Sequence, residues 1–339
     1  MAKEDEEKNM DNAKTWDVIV VRDAMVPMRD GVHLATDLYF PAENGRPLEQ
    51  KLPAVLQRTP YNKSGYDGMA SFFAKHGYLS AVQDCRGRHK SEGEFFPNKN
   101  EPKDGYDAVE WLAKEPSCNG KVGTYGCSYM AWVQVQMATQ NPPSLVTMIP
   151  YQAGTNKYHD AARRGGALKL GSLQWMLEQT ISSKEAQQNP VIAQAVQPMN
   201  QNFLQWAYRV PWRRGQTPLS AAPKYEDATF QSYFEKVDYS DFWRQPGFAT
   251  DDYLESYPNI PMLWVTGWYD QWFYRSTTIN SYQEMVKINR KNQYLMVGPW
   301  IHNGFDSTIG DVNFGSGGGN IKSYDDYLNM RGGLLRLDI

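Results

Sequence analysis

Only three cysteines occur in the 339 residues, Cys85, Cys118 and Cys127. They are too few for a disulfide framework, and none stands in a CxxC zinc spacing. Histidine is nearly as scarce: His33, His76, His89, His159 and His302 are the whole supply. No His/Cys/Asp/Glu group has closed metal-ligand spacing, so neither a metal nor another cofactor is expected. No apolar run approaches the roughly 18 residues needed to cross a bilayer. The opening stretch, MAKEDEEKNMDNAK, is charged and lacks the apolar core of a signal peptide. That suits a cytoplasmic chain, or a secreted or periplasmic one whose leader was removed. Net charge is only −3, from 35 Lys+Arg against 38 Asp+Glu. Without a basic stripe or polybasic segment, neither nucleic acid nor a membrane surface is an expected partner.

What remains is ordinary globular usage, 41% hydrophobic and 22% charged. Aromatic content is high at 13%, with 11 Trp and 21 Tyr. A chain of this length can hold one large core with an inserted subdomain, or two domains. Residues 1–16 read as a polar tail. Strands are expected at Asp17 to Arg22 and, after an Arg29-Asp30-Gly31 turn, at Val32 to Tyr39, where apolar and polar residues alternate. Short apolar runs at Pro53 to Gln57, Tyr78 to Gln83, Val122 to Tyr125, Thr147 to Pro150, Met262 to Thr266 and Tyr294 to Val297 then alternate with helical spacing. Such alternation implies a mostly parallel, doubly wound sheet with helices on both faces. It breaks between about Thr155 and Pro258, a stretch with helical periodicity near Leu168 to Thr180 and no buried strand. The expected organisation is an α/β domain over 17–154 and 259–339, with a helical cap inserted at 155–258. A cap placed at strand C-terminal ends would overhang the crevice where open α/β sheets bind ligands.

The sharpest local feature is Val122-Gly123-Thr124-Tyr125-Gly126-Cys127-Ser128-Tyr129-Met130-Ala131. A strand runs into Gly-Cys-Ser and an apolar helix starts at once, the setting that exposes a nucleophilic serine on a tight turn. Gly126 suits a place where a Cβ would crowd that turn. The second small position, commonly glycine, is assigned to Ala131. A plain glycine turn with Ser128 as helix cap would show the same residues, and chain order separates the two readings. Nucleophile, acid, then histidine is the order in α/β-hydrolases, and only His159 and His302 follow Ser128. His159 lies in the polar run Lys157 to Asp160, with no strand before it. His302 follows an apolar strand and a Gly298-Pro299-Trp300 turn, as a loop presenting a base would. Asp270 stands just past the preceding strand, among Trp268, Tyr269 and Trp272. A turn aspartate with a local hydrogen bond would look the same, but one walled by these rings would be partly desolvated and need a fixed partner.

These residues also carry a resemblance. Val26 to Gly31 (VPMRDG), Arg58 to Tyr61 (RTPY), Gln83 to Arg88 (QDCRGR) with Ser91-Glu92-Gly93, Asp104 to Asp107 (DGYD), Asn119 to Gly123 (NGKVG), Gly126 to Tyr129 (GCSY) and Gly298 to His302 (GPWIH) recur in one order. Together they resemble the cocaine esterase, α-amino-acid ester hydrolase and Xaa-Pro dipeptidyl-peptidase family of α/β-hydrolases, from about Asp23 to Asp325. The resemblance implies an α/β-hydrolase fold with a helical cap. It makes Ser128 the nucleophile, Asp270 the acid and His302 the base, and builds an oxyanion hole from the Tyr61 hydroxyl and the Tyr129 N–H. The expected substrate is a small ester or amide, cleaved through an acyl-enzyme.

Two departures follow. The resemblance implies a C-terminal jelly-roll domain, and residues 303–339 are too short for eight strands. Ser323 to Met330 resembles the family's next helix. Apolar surface bared by a missing domain would call for a partner or homo-oligomer to cover it. The second departure is specificity: Asp160 alone is placed to meet a substrate ammonium. Trp175, Trp268 and Trp272 are the candidate substrate-binding residues. Trp206, Tyr208, Trp212 and Trp243 suit an aromatic acyl group, or simply pack the cap. Three alternatives stay open: peptidase activity on the same residues, acyl transfer, or an inactive relic that only binds ligand.

Overall fold

The computed structural model describes residues 15–272, 274–288 and 292–315. The resembling segment at Ser323 to Met330 lies outside them, as does most of the polar tail. Eight main strands form one sheet: β1 (Asp17–Pro27), β2 (His33–Glu43), β3 (Leu52–Thr59), β4 (Leu79–Asp84), β5 (Cys118–Cys127), β6 (Leu145–Tyr151), β7 (Met262–Gly267) and β8 (Gln293–Gly298). Their spatial order is β1-β2-β4-β3-β5-β6-β7-β8, with a two-residue strand, Arg46–Pro47, beside β2. β1 and β2 are antiparallel to their neighbours, and β3 to β8 are all parallel. The parallel strands are near-continuous apolar runs because helices cover both faces.

The alternation in β2 does not mark an exposed face. The strand is buried almost throughout, because Asp37, its most polar residue, is neutralised from two sides. Arg22 reaches it at 2.7 Å and Lys63 at 2.6 Å.

The crossover helices are α1 (Asp67–Lys75), α2 (Glu101–Ala113), α3 (Tyr129–Ala138) and α9 (Tyr274–Lys287). Every residue of α3 is buried: it is apolar but for Gln134 and Gln136, whose side-chain amides donate to the Met130 and Gly247 carbonyls. Its approach to α2 needs Gly105, where a Cβ would stand 2.7 Å from the Met137 Cβ.

Between β6 and β7 the chain contributes no strand to the main sheet. It forms a two-residue hairpin (Arg163–Arg164 with Ala167–Leu168) and helices α4 (Leu170–Ile181), α5 (Lys184–Gln188), α6 (Pro190–Gln201), α7 (Phe203–Ala207) and α8 (Pro223–Phe230). Leu173, Met176, Leu177, Val196, Trp212, Tyr225 and Trp243 form an apolar core of their own there, which meets Tyr129 and Val133 of α3. Arg88 ties this layer to the sheet. Only 1% exposed, it donates to the carbonyls of Pro60 (2.9 Å) and Gln179 (2.9 Å), to the Tyr225 hydroxyl (3.0 Å) and to Ser182 Oγ (2.8 Å). A buried guanidinium needs this many acceptors, or its desolvation goes uncompensated.

Candidate active site

Four loops at the C-terminal ends of parallel strands converge: Tyr61 follows β3, Ser128 follows β5, Asp270 follows β7 and His302 follows β8. Ser128 sits at φ 59° and ψ −124°, a conformation few non-glycine residues adopt. Its N–H is held by the Tyr151 carbonyl at 3.0 Å, and its own carbonyl receives the N–H groups of Ala131 and Trp132. Such strain persists where surrounding bonds over-determine it, commonly at functional sites. The turn leaves no room at Gly126, whose added Cβ would come within 2.5 Å of the Met130 Cβ. The residue packed there is Met130, not Ala131, because the motif's spacing places it two after the serine.

His302 Nε2 lies 2.8 Å from Ser128 Oγ, and His302 Nδ1 lies 3.1 Å from Asp270 Oδ1. Asp270 is fully buried; the same Oδ1 accepts the Trp272 N–H at 2.8 Å. The imidazole is also held through its flanking backbone. Gln152, buried at the end of β6, donates to the Ile301 carbonyl at 2.8 Å and accepts the Asn303 N–H at 2.8 Å.

A cavity of about 290 Å³ opens on this group, lined among others by Tyr61, Ser128, Tyr129, Trp175, Trp272 and His302. The Tyr129 N–H is the first of α3, a position no intrahelical carbonyl can reach and where the helix dipole favours negative charge. The Tyr129 ring stacks on Trp175 (17° between planes), and its hydroxyl donates to Glu101 Oε1 at 3.1 Å. The Tyr61 hydroxyl neighbours the Ser128 side chain and accepts the Trp175 indole N–H at 3.2 Å. Indole can only donate, so it occupies the phenol oxygen and leaves the Tyr61 proton to point elsewhere. Burial holds the Tyr61 phenol above its ordinary pKa, keeping it a hydrogen-bond donor.

Of the three tryptophans expected to meet substrate, Trp175 and Trp272 line the cavity and Trp268 does not. Trp268 is 55% exposed. Its N–H bonds the Gly298 carbonyl at 2.9 Å and the next N–H bonds that of Trp300, so the turn holds the backbone to β8 and leaves the indole on the surface. Asp270 is bonded by the Trp272 N–H and by His302, while the rings of Trp268 and Tyr269 are about half exposed. Trp212 and Trp243 belong to the cap's core, with Trp206 packed against it, and Tyr208 is 90% exposed. Asp160 accepts the N–H groups of Thr155 (2.9 Å) and Asn156 (2.8 Å) and is not among the cavity's lining residues. Burial raises its carboxyl pKa to about 7.

Sequence reasoning missed Gln152 and Lys157. Lys157 lines the cavity at 3% exposure, donates to the Pro97 carbonyl at 3.1 Å, and is pushed down to about 7 by burial. Only the partners that the fold brings from afar distinguish these two residues, and no local pattern marks them. Among the described residues no group of three or more His, Cys, Asp or Glu could hold a metal ion.

Residues 30–304 match the family of X-Pro dipeptidyl-peptidases (S15 family). The chain belongs to that family. It is 30% identical over 320 residues to the cocaine esterase of Rhodococcus sp. (strain MB1 Bresler), a match covering 87% of this chain and 51% of that protein. A putative serine esterase of Mycobacterium bovis is 30% identical over 163 residues, or 42% of this chain and 26% of its own length. Among solved structures, an α-amino acid ester hydrolase superposes with a TM-score of 0.63 at 25% identity, over 89% of this chain and 51% of that one. An aminopeptidase from a marine sediment archaeon, Thaumarchaeota archaeon, gives 0.65 at 24% identity, over 89% and 52%. The chain spans about half the length of the first of these relatives. The fold is that of the α/β-hydrolases.

Proposed function

We propose that this S15-family chain is a serine hydrolase that cleaves carboxylic esters through an acyl-enzyme on Ser128. The observation that carries this reading is the chain of contacts from Ser128 Oγ through His302 to buried Asp270, opening on one cavity. In the first half-reaction Ser128 Oγ attacks the ester carbonyl while His302 Nε2 takes its proton. Asp270 holds the Nδ1 tautomer and stabilises the imidazolium. Charge developing on the carbonyl oxygen meets the Tyr61 hydroxyl and the Tyr129 N–H, and His302 then protonates the departing alcohol. Water attacks the acyl-enzyme in the second half-reaction, with His302 again as base.

Among the described residues lining the cavity Glu178 alone is acidic, and Asp160 is occupied by main-chain N–H groups. The lack of a carboxylate cluster there supports esters without an α-ammonium over amino-acid esters or peptides. The test is labelling with a fluorophosphonate and mapping of the modified peptide. Labelling confined to Ser128 is expected; a folded sample with no adduct there would return the chain to the ligand-binding relic.

A further inference from the structure

Lys157 opens the cap, shortly after the end of β6. Apart from His302 it is the only basic group among the described residues lining the active-site cavity, and it is 3% exposed. An ammonium carries three N–H donors. One goes to the Pro97 carbonyl at 3.1 Å, and the rings of Phe248 and Phe96 stand 5.2 and 5.9 Å from Nζ. Among the described residues no carboxylate pairs with it, and burial alone pushes it down to about 7. One carbonyl and two rings near the limit of cation–π range leave two donors unused, where an unpaired charge is costly.

The acid in this cavity does not supply the missing partner. Burial pushes the Glu178 carboxyl up, again with no charged neighbour acting on it. Glu178 is exposed, so it stands toward the mouth while Lys157 lies on the buried wall. A neutral donor does sit beside the ammonium. Asn98 follows Pro97, lines the same cavity and is 6% exposed. Its backbone N–H is held by the Tyr129 hydroxyl at 2.9 Å, which ties this end of the cavity to the residue after the nucleophile. Its side-chain amide has no partner among the described residues.

We infer that Lys157 and Asn98 form an anion subsite, and that the ester cleaved at Ser128 carries a carboxylate that seats there. The carboxylate takes the spare ammonium donors and the Asn98 amide in charge-assisted hydrogen bonds. The cleavage rests on the ester-hydrolase reading above; the subsite itself does not. Both halves of an ester can bear a carboxylate, so the experiment has an arm for each.

Below pH 7, where Lys157 is charged, kcat/KM is compared for esters ending in a carboxylate and in the isosteric primary amide. The acyl arm uses the mono-4-nitrophenyl esters of glutaric, adipic and pimelic acids against those of the matching acids with a terminal amide. The alcohol arm uses hexanoate esters of 4-hydroxyphenylacetic acid and of 4-hydroxyphenylacetamide. In one arm the carboxylate-over-amide ratio should fall on the order of tenfold or more in Lys157→Met. Comparing ratios across proteins cancels the esters' intrinsic reactivities. Asn98→Asp is isosteric and tolerates the same positive φ of 73°. It leaves Lys157 in place but gives it a carboxylate, so it should lower the ratio in the same arm. Fluorophosphonate labelling of Ser128 reports whether each variant is folded, and Asn98→Asp decides if Lys157→Met is not. Ratios unchanged in both arms overturn the inference. A binding arm separates this failure from that of the hydrolase reading. Ser128→Ala protein should bind the N-phenyl monoamides of the same diacids more tightly than the corresponding diamides, and adding Lys157→Met should remove the difference. If folded wild type takes no fluorophosphonate, the hydrolase reading falls and this binding comparison alone decides the subsite; equal binding of acid and amide overturns it.

Discussion

Replacing Tyr61 by Phe removes one oxygen and leaves the ring in its place. In the resting protein that oxygen accepts the 3.2 Å bond from Trp175 and neighbours the Ser128 side chain. A neutral bond of this kind contributes about 1 kcal/mol net, so thermal stability should change little. The consequence for rate is of a different size. With Trp175 donating to the phenol oxygen, the Tyr61 proton points away from the indole toward the Ser128 side, where it can meet an oxyanion, and that bond strengthens only as charge develops. Losing one oxyanion donor costs roughly 3–4 kcal/mol, or 10²–10³ in kcat, with KM nearly constant. Trp175→Phe should lie between Tyr61→Phe and the wild type, because it frees the hydroxyl to rotate without removing it. Steady-state hydrolysis of a 4-nitrophenyl ester gives kcat and KM, and the rate of Ser128 phosphonylation reports the same hole with no deacylation step. If Tyr61→Phe keeps more than about a third of wild-type kcat, a loss under 1 kcal/mol, the hydroxyl is no donor. The second hydrogen bond would then have to come from the main chain.

Asp270→Asn should preserve the fold and lower kcat by about four orders of magnitude, since the amide stabilises the wrong imidazole tautomer; a tenfold loss would place the acid elsewhere. Gln152→Leu releases the backbone on both sides of His302 and should lower kcat by up to about 10², against an unchanged rate if the loop holds its own shape. Asp160 keeps its proton to about pH 7 when folded, but only to about pH 4 when unfolded. The native state therefore binds more protons in that window, and this carboxyl's contribution to stability falls as pH rises through it. Asp160→Asn, whose side-chain oxygen can still accept a main-chain N–H, should flatten denaturant midpoints between about pH 4 and 7. A slope identical to the wild type's would place that titration on another group.

Much of this architecture was legible in the chain. Alternating apolar runs marked the parallel strands, and the break between Thr155 and Pro258 marked the helical segment, because both depend on local periodicity. Ser128 and His302 could be picked out because a glycine turn and a strand end fix where a loop emerges, and five histidines left few choices. Side-chain direction was harder to read. Trp268 and Trp272 stand four residues apart around Asp270, yet one is on the surface and the other on the cavity, since the choice depends on hydrogen bonds to β8. β5 begins at Cys118, four residues before its apolar run, because Asn119, Gly120 and Lys121 are exposed and carry no hydrophobic signal. Gln152 and Lys157 look like ordinary polar residues until the fold supplies the His302 loop and Pro97 as their neighbours. The buried Asp37 shows the same limit, as a charged residue inside a strand reads as exposed until its cations are found.

The most direct measurement is mass spectrometry of the protein quenched during turnover of a 4-nitrophenyl ester. A burst of 4-nitrophenol matched by one acyl group per chain, mapped to the peptide carrying Ser128 and absent from Ser128→Ala, is the expected result. Turnover in which no acyl group is found on Ser128, or in which Ser128→Ala hydrolyses the ester as fast as the wild type, would contradict an acyl-enzyme at that residue.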